Sequence, residues 1–185
     1  PGRLSLLLGD NGTGKTSVLN VLASLHDLIV LGSSAGDLFL GTRTKWETRE
    51  VQRLELDIED TSGTYRYALE IQHPQGLHQK PFIRMEKVNA DGEPLYRFSD
   101  GEVQLYYDDL TIGPTFPFRS DQSFLMNLGS ERAHRIGRLA KFKDLIAGVS
   151  IFQPTPFAME WVSMQDQSFL RRDGTNFAAF FDYLN

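Results

Sequence analysis

The sequence has no cysteine among its 185 residues. Disulfides and thiolate metal sites are therefore excluded. No apolar run approaches the ~18 residues of a membrane-crossing helix. No secretory leader is legible before the apolar stretch Leu4-Ser5-Leu6-Leu7-Leu8. These absences lead to the expectation of a cytoplasmic protein with no membrane partner. Strong charge of either sign is missing too. A net charge of -5 excludes a chain-wide nucleic-acid footprint and leaves room only for a local basic patch. The four histidines, His26, His73, His78 and His134, show no H-E-x-x-H or other metal spacing, and surface or hairpin positions are expected for them. No Ser/His/Asp constellation follows from spacing. No Asn-Lys-x-Asp is present to read guanine, and there is no internal repeat or low-complexity segment. What remains, 41% hydrophobic and 23% charged, is ordinary globular composition, enough for one substantial core.

What is present is concentrated near the start. Gly9-Asp10-Asn11-Gly12-Thr13-Gly14-Lys15-Thr16 fits G-x-x-x-x-G-K-[ST], the P-loop pattern. The apolar stretch at 4–8 reads as a buried parallel strand. After the loop, Val18, Val21, Leu22 and Leu25 fall at i, i+3, i+4, i+7, one face of a helix that extends toward Leu31. A strand before and a helix after are the context the motif requires. Glycines let the backbone turn tightly and bring its N–H groups against phosphate oxygens. The helix start adds free donors and partial positive charge. Lys15 is placed to reach the β- and γ-phosphates, and the Thr16 hydroxyl to ligate Mg²⁺.

The rest of the chain changes period twice. Residues 37–50 read as a loop with a short helix. Leu54, Leu56 and Ile58 alternate with Glu55, Asp57 and Glu59. Tyr65, Tyr67, Leu69 and Ile71 alternate again across the Ser62-Gly63 turn, making a hairpin. A third strand is expected at 82–88 and a turn at 89–92. A second hairpin, 95–98 with 103–107, is expected across Ser99-Asp100-Gly101. Together these strands form an antiparallel meander with one face toward a core. Beyond Pro114 and Pro117 the helical period returns, with Ile136, Leu139, Ala140, Lys143 and Ala147 on one face. Val149-Ser150-Ile151-Phe152 reads as a second core strand ended by Pro154 and Pro156. Thr175 is expected to cap a last helix whose face is Phe177, Phe180, Phe181 and Leu184.

A hydrolysing P-loop enzyme also needs a Walker B strand, aliphatics ending in Asp with a Glu base. Leu54-Glu55-Leu56-Asp57 is amphipathic, so it does not qualify. Leu105-Tyr106-Tyr107-Asp108-Asp109 carries paired carboxylates, but inside the meander, where a solvated strand end is the plainer reading.

The loop resembles the Walker A of ABC-type ATPase heads in the SMC, RecF and OLD-like group, where Asn-Gly within the loop is usual. The meander is similar to that group's β-subdomain. Tyr65-Arg66-Tyr67 with Ile83-Arg84-Met85-Glu86, Ser123-Phe124-Leu125, and Asp173-Gly174-Thr175-Asn176-Phe177-Ala178-Ala179 resemble segments of its predicted AAA-type ATPases. The resemblance implies an α/β fold, a P-loop NTPase lobe with an inserted antiparallel β-meander subdomain and flanking helices. Its parts are 1–31 for the P-loop strand and helix, 51–110 for the β subdomain and 118–185 for the helices and second core strand. It implies ATP and Mg²⁺ as cofactors, held by Asn11, Gly12, Thr13, Gly14, Lys15, Thr16 and Ser17. It further implies a head-to-head dimer sandwiching ATP, with DNA or an effector as further partners. Gln153, after the expected strand, matches the Gln-loop position that senses Mg²⁺ and the attacking water. A polar loop residue before proline is the equal alternative. Glu86 and Arg84 are expected on the strand surface. A P-loop so near the first residue, helix-like residues at 177–185 and the missing signature motif and Walker B lead to the expectation of a fragment, with hydrolysis needing a further lobe. Two rivals remain. One is a small self-contained P-loop kinase, with Arg132, Arg135 and Arg138 drafted as a lid. The other is a non-hydrolysing ATP-sensing module associated with DNA.

Overall fold

The structure, a computed structural model, describes residues 10, 14–43, 47–61, 63–76, 79–129, 135–153, 157, 159–160, 167–168 and 170–184. The expected strand at 4–8, loop residues Asn11, Gly12 and Thr13, and His78, Arg132, His134 and Trp161 lie outside these. The chain divides into two compact units, Asn20–Val149 and Pro1–Leu19 with Ser150–Asn185.

The larger unit is built on a six-stranded antiparallel sheet in sequence order. Its strands are β1 (Val51–Asp60), β2 (Gly63–Gln72), β3 (Phe82–Ala90), β4 (Glu93–Ser99), β5 (Glu102–Tyr106) and β6 (Ile112–Pro117). Period-two alternation places Tyr65, Tyr67, Leu69 and Ile71 of β2 inward and buried, while Leu54, Leu56 and Ile58 of the edge strand β1 are half-buried. Outward, Arg66 pairs with Asp57 at 3.0 Å and Arg53 with Glu55 at 2.6 Å. The β3–β4 and β4–β5 turns are Asp91-Gly92 and Asp100-Gly101. All four residues have positive φ, 53° and 88° in one turn and 55° and 79° in the other. This is the primed geometry that suits the strand twist and that Asp-Gly favours. Asn89 and Ala90, expected in the turn, belong to β3.

The strand β6 is a correction, since the meander runs to Pro117 and not to 107. Pro114 and Pro117 hid it. An edge position tolerates them because one side of an edge strand needs no ladder donors.

Helices cover the inner face. Leu25, Leu28 and Ile29 of α1 (Lys15–Ile29), Phe39 beside α2 (Ala35–Leu38), and Leu139, Phe142 and Ile146 of α3 (Gly137–Ala147) join the sheet's core. The Phe142 ring lies 5.7 Å from Tyr67 and 6.0 Å from Tyr65. Such aromatic pairs contribute ~0.5–1.5 kcal/mol beyond area burial. The α3 face is therefore turned from the expected one. Phe142 is buried and Ala147 exposed, while Lys143 donates to the carbonyls of Met126 and Leu128. In α1 the buried face is likewise shifted, with Val18 exposed. The run 149–152 forms no strand, and both Val149 and Phe152 are exposed. Gly148 closes α3 immediately before it, and a four-residue run without a neighbouring strand has nothing to pair with among the described residues.

In the smaller unit, Gly174 (φ 72°) opens the turn into α4 (Phe177–Leu184). Thr175 is not its side-chain cap. Its hydroxyl donates to Asp173 at 2.9 Å. Asn176 is buried, its Oδ1 accepting from Arg171 N and its Nδ2 donating to Gln167, both at 2.7 Å. The expected apolar face is also displaced, because Ala179 is buried while Phe177 and Phe181 stack on each other and stay exposed.

Candidate functional site

The site is the start of α1. The helix begins at Lys15, straight after Gly14, whose φ of 89° is one that side chains rarely adopt. Open space surrounds the position of a Cβ there. The Gly14 carbonyl accepts from Val18 N at 3.1 Å, the first intrahelical bond. The N–H groups of the first turn have no intrahelical acceptor, and they carry the positive end of the dipole of a 15-residue helix. No acidic side chain offsets it in that turn. Thr16 and Ser17 are exposed there, and Lys15 Nζ donates to the Asp10 carbonyl at 2.6 Å. An ammonium, two hydroxyls and oriented amides at one end of a helix form an anion-binding arrangement.

The other residues named from the sequence each have their own local partners. Gln153 sits in irregular chain. Its backbone N donates to the Arg172 carbonyl at 2.7 Å, and its Oε1 accepts from Arg172 Nη2 at 3.1 Å. It lines an open hollow of about 510 Å³ with Arg171, Arg172 and Asp173. Asp108 serves α3. Its carboxylate accepts from Gly137 N at 2.6 Å and Arg138 N at 3.2 Å, supplying the cap that Ile136 cannot. Asp109 accepts from the Thr111 hydroxyl and N–H, which hold its pKa below the usual range. Arg135 lies 3.8 Å over the Tyr107 ring, and Arg138 donates to the Ala90 carbonyl at 2.9 Å. Among the described residues, no group of three His, Asp or Glu side chains is arranged to hold a metal ion.

Glu86 is a correction. It is fully buried rather than on the strand surface. Its carboxylate accepts hydroxyl hydrogen bonds from Tyr67 and Tyr96, each at 2.8 Å, and from Ser123 at 2.8 Å. Burial pushes its pKa up, and the hydrogen bonds from Ser123, Tyr96 and Tyr67 oppose the rise only in part. Ser123 Oγ also accepts from Leu125 N, capping the 3-10 turn Phe124–Asn127. Residues 65–67, 83–86 and 123–125 thus meet at one buried carboxylate. The signal was readable, since Glu86 is in phase with Val88 and Ala90 on the inward side of β3. His73, expected at a surface or hairpin position, directly follows β2 in the connection to β3 and is buried.

Compared with known families, with curated proteins and with solved structures, the chain matches no family model, no protein and no structure.

Proposed function

We propose that the chain binds Mg²⁺·ATP at the loop 9–16, as the N-terminal P-loop lobe of an ATPase head like those of the SMC, RecF and OLD-like group. One observation carries this reading. The G-x-x-x-x-G-K-T pattern ends where α1 begins, with Gly14 in the left-handed region directly before Lys15. In this reading backbone amides of the loop and of the first turn cradle the phosphates. Lys15 exchanges the Asp10 carbonyl for β- and γ-phosphate oxygens, and Thr16 places its hydroxyl on Mg²⁺, with Ser17 beside it. Gln153 would reach the metal only after its Oε1 leaves Arg172. Hydrolysis would require a further lobe and head-to-head dimerisation, because Asp108 and Asp109 hold α3 and their own turn.

Titration calorimetry with ATP, GTP and AMP in Mg²⁺ tests the proposal. ATP and GTP should bind alike and AMP much more weakly, because Lys15 and Thr16 act beyond the α-phosphate. Equal affinities for AMP and ATP would overturn it.

A further inference from the structure

The two edges of the sheet differ. β6 is short, carries Gly113, Pro114 and Pro117, and its register with β5 is irregular between Gln104 and Tyr106. Such features blunt an edge against pairing with another chain. β1 has none of them. It runs from Val51 to Asp60 without proline or glycine, and its register with β2 is unbroken. Among the described residues no strand lies beyond it, and backbone–backbone hydrogen bonds to residues 51–59 come from β2 alone. Every second residue of such a strand turns its N–H and C=O away from the sheet, which leaves a ladder ready for one more strand. On its inner side Leu54, Leu56 and Ile58 pack against the core and stay half-buried. On its outer side Glu55 is paired with Arg53 at 2.6 Å and Asp57 with Arg66 at 3.0 Å. Glu59 is exposed there and has no cationic partner among the described residues.

We propose that β1 pairs antiparallel with β1 of a second copy of this chain, Leu56 facing Leu56 across a two-fold axis, so that two sheets join into one. The occupant follows from the strand's own pattern, which is complementary to itself when reversed about Leu56. Directly opposed residues share a face in an antiparallel pair. Leu54 then meets Ile58 on the inner side, and the apolar rows of the two copies become continuous. Arg53 meets Glu59 on the outer side, giving the unpartnered carboxylate a cation twice over by symmetry. Gln52, whose Oε1 accepts from Thr42, turns its amide N–H groups to Asp60. Glu55 and Asp57 also face each other, but each is already neutralised by an arginine of its own copy. The neighbouring registers in phase with the pleat put Glu55 or Asp57 against itself and take Arg53 from Glu59. A slip of one residue sets the apolar row against the charged one. The pairing uses no residue assigned to the nucleotide, so it is separate from a dimer that sandwiches ATP.

Sedimentation velocity of the chain without nucleotide, from about 1 to about 500 μM, is the first measurement, a span suited to an interface at the small end of the range. A monomer–dimer equilibrium is expected, unchanged in Lys15→Ala. Glu59→Arg, which breaks no described ion pair within the chain, should weaken the dimer by roughly tenfold, because like charges then stand opposite each other at two places. Adding Arg53→Glu to it should restore the dimer, with thermal unfolding of each variant as the control for folding. The register is read by single-cysteine variants at 53–59 under mild oxidation. The chain has no cysteine of its own, so every disulfide formed is between copies. Cross-linking should peak at Leu56→Cys and fall off to both sides. A chain that stays monomeric throughout, a dimer that forms only with ATP, a peak at another position, or folded charge-reversed variants that do not recover pairing would each overturn the proposal.

Discussion

A single carboxylate shows how far side-chain chemistry departs from strand pattern. Glu86 is buried with no cationic partner among the described residues and is satisfied by three hydroxyls from β2, β4 and the segment before the 3-10 turn. Its folded pKa is raised above the ordinary glutamate value of 4.5, with burial the first cause. A raised acid holds its proton more tightly in the folded state. Its stabilising share is therefore complete below pH 4.5 and is lost as pH rises through the folded value. Glu86→Gln removes the titration and keeps the shape. Urea unfolding at about pH 5 and about pH 8 should show wild type losing stability relative to Glu86→Gln at the higher pH. A difference unchanged between the two pH values would contradict the assignment. At this scale the P-loop residues were legible because their chemistry demands a fixed spacing. Glu86 was missed because charge was allowed to outweigh phase.

At the scale of elements, alternation gave five of the six strands, since a half-buried strand must present apolar groups every second residue. β6 escaped because Pro114 and Pro117 are strand breakers everywhere except at an edge. The α3 face was misjudged around Phe142, whose burial depends on the Tyr65 and Tyr67 rings that β2 brings to it. The run 149–152 misled for the opposite reason, being apolar and short but lacking a partner. Asp108 illustrates long-range capping, which spacing does not reveal, because 29 residues separate it from Gly137. Asp108→Ala should destabilise the fold by ~0.5–2 kcal/mol, the range for a lost helix cap, while leaving ATP affinity unchanged. Chemical denaturation and nucleotide titration on the same variant check both halves. Loss of ATP binding with unaltered stability would contradict the capping role and instead assign Asp108 to the nucleotide's metal.

For the whole molecule, the six-stranded antiparallel sheet with its helices is a mixed α/β arrangement, and no described helix is long and apolar enough to cross a membrane. Turnover is a separate matter from binding. Phosphoryl transfer to water needs a positioned base and compensation of charge in the transition state. Lacking a base alone typically costs 10²–10⁴-fold, roughly speaking. These 185 residues alone should release phosphate from ATP no faster than their Lys15→Ala variant. Steady release that is linear in protein and abolished by Lys15→Ala would instead favour a self-contained enzyme. The most direct test of the nucleotide reading is the Mg²⁺·ATP affinity of wild type beside Lys15→Ala, with thermal unfolding of both. Lys15 donates to the Asp10 carbonyl and is not one of the residues of the hydrophobic core. The variant should therefore lose ATP binding and keep its thermal transition. Undiminished ATP binding by Lys15→Ala would contradict the central claim.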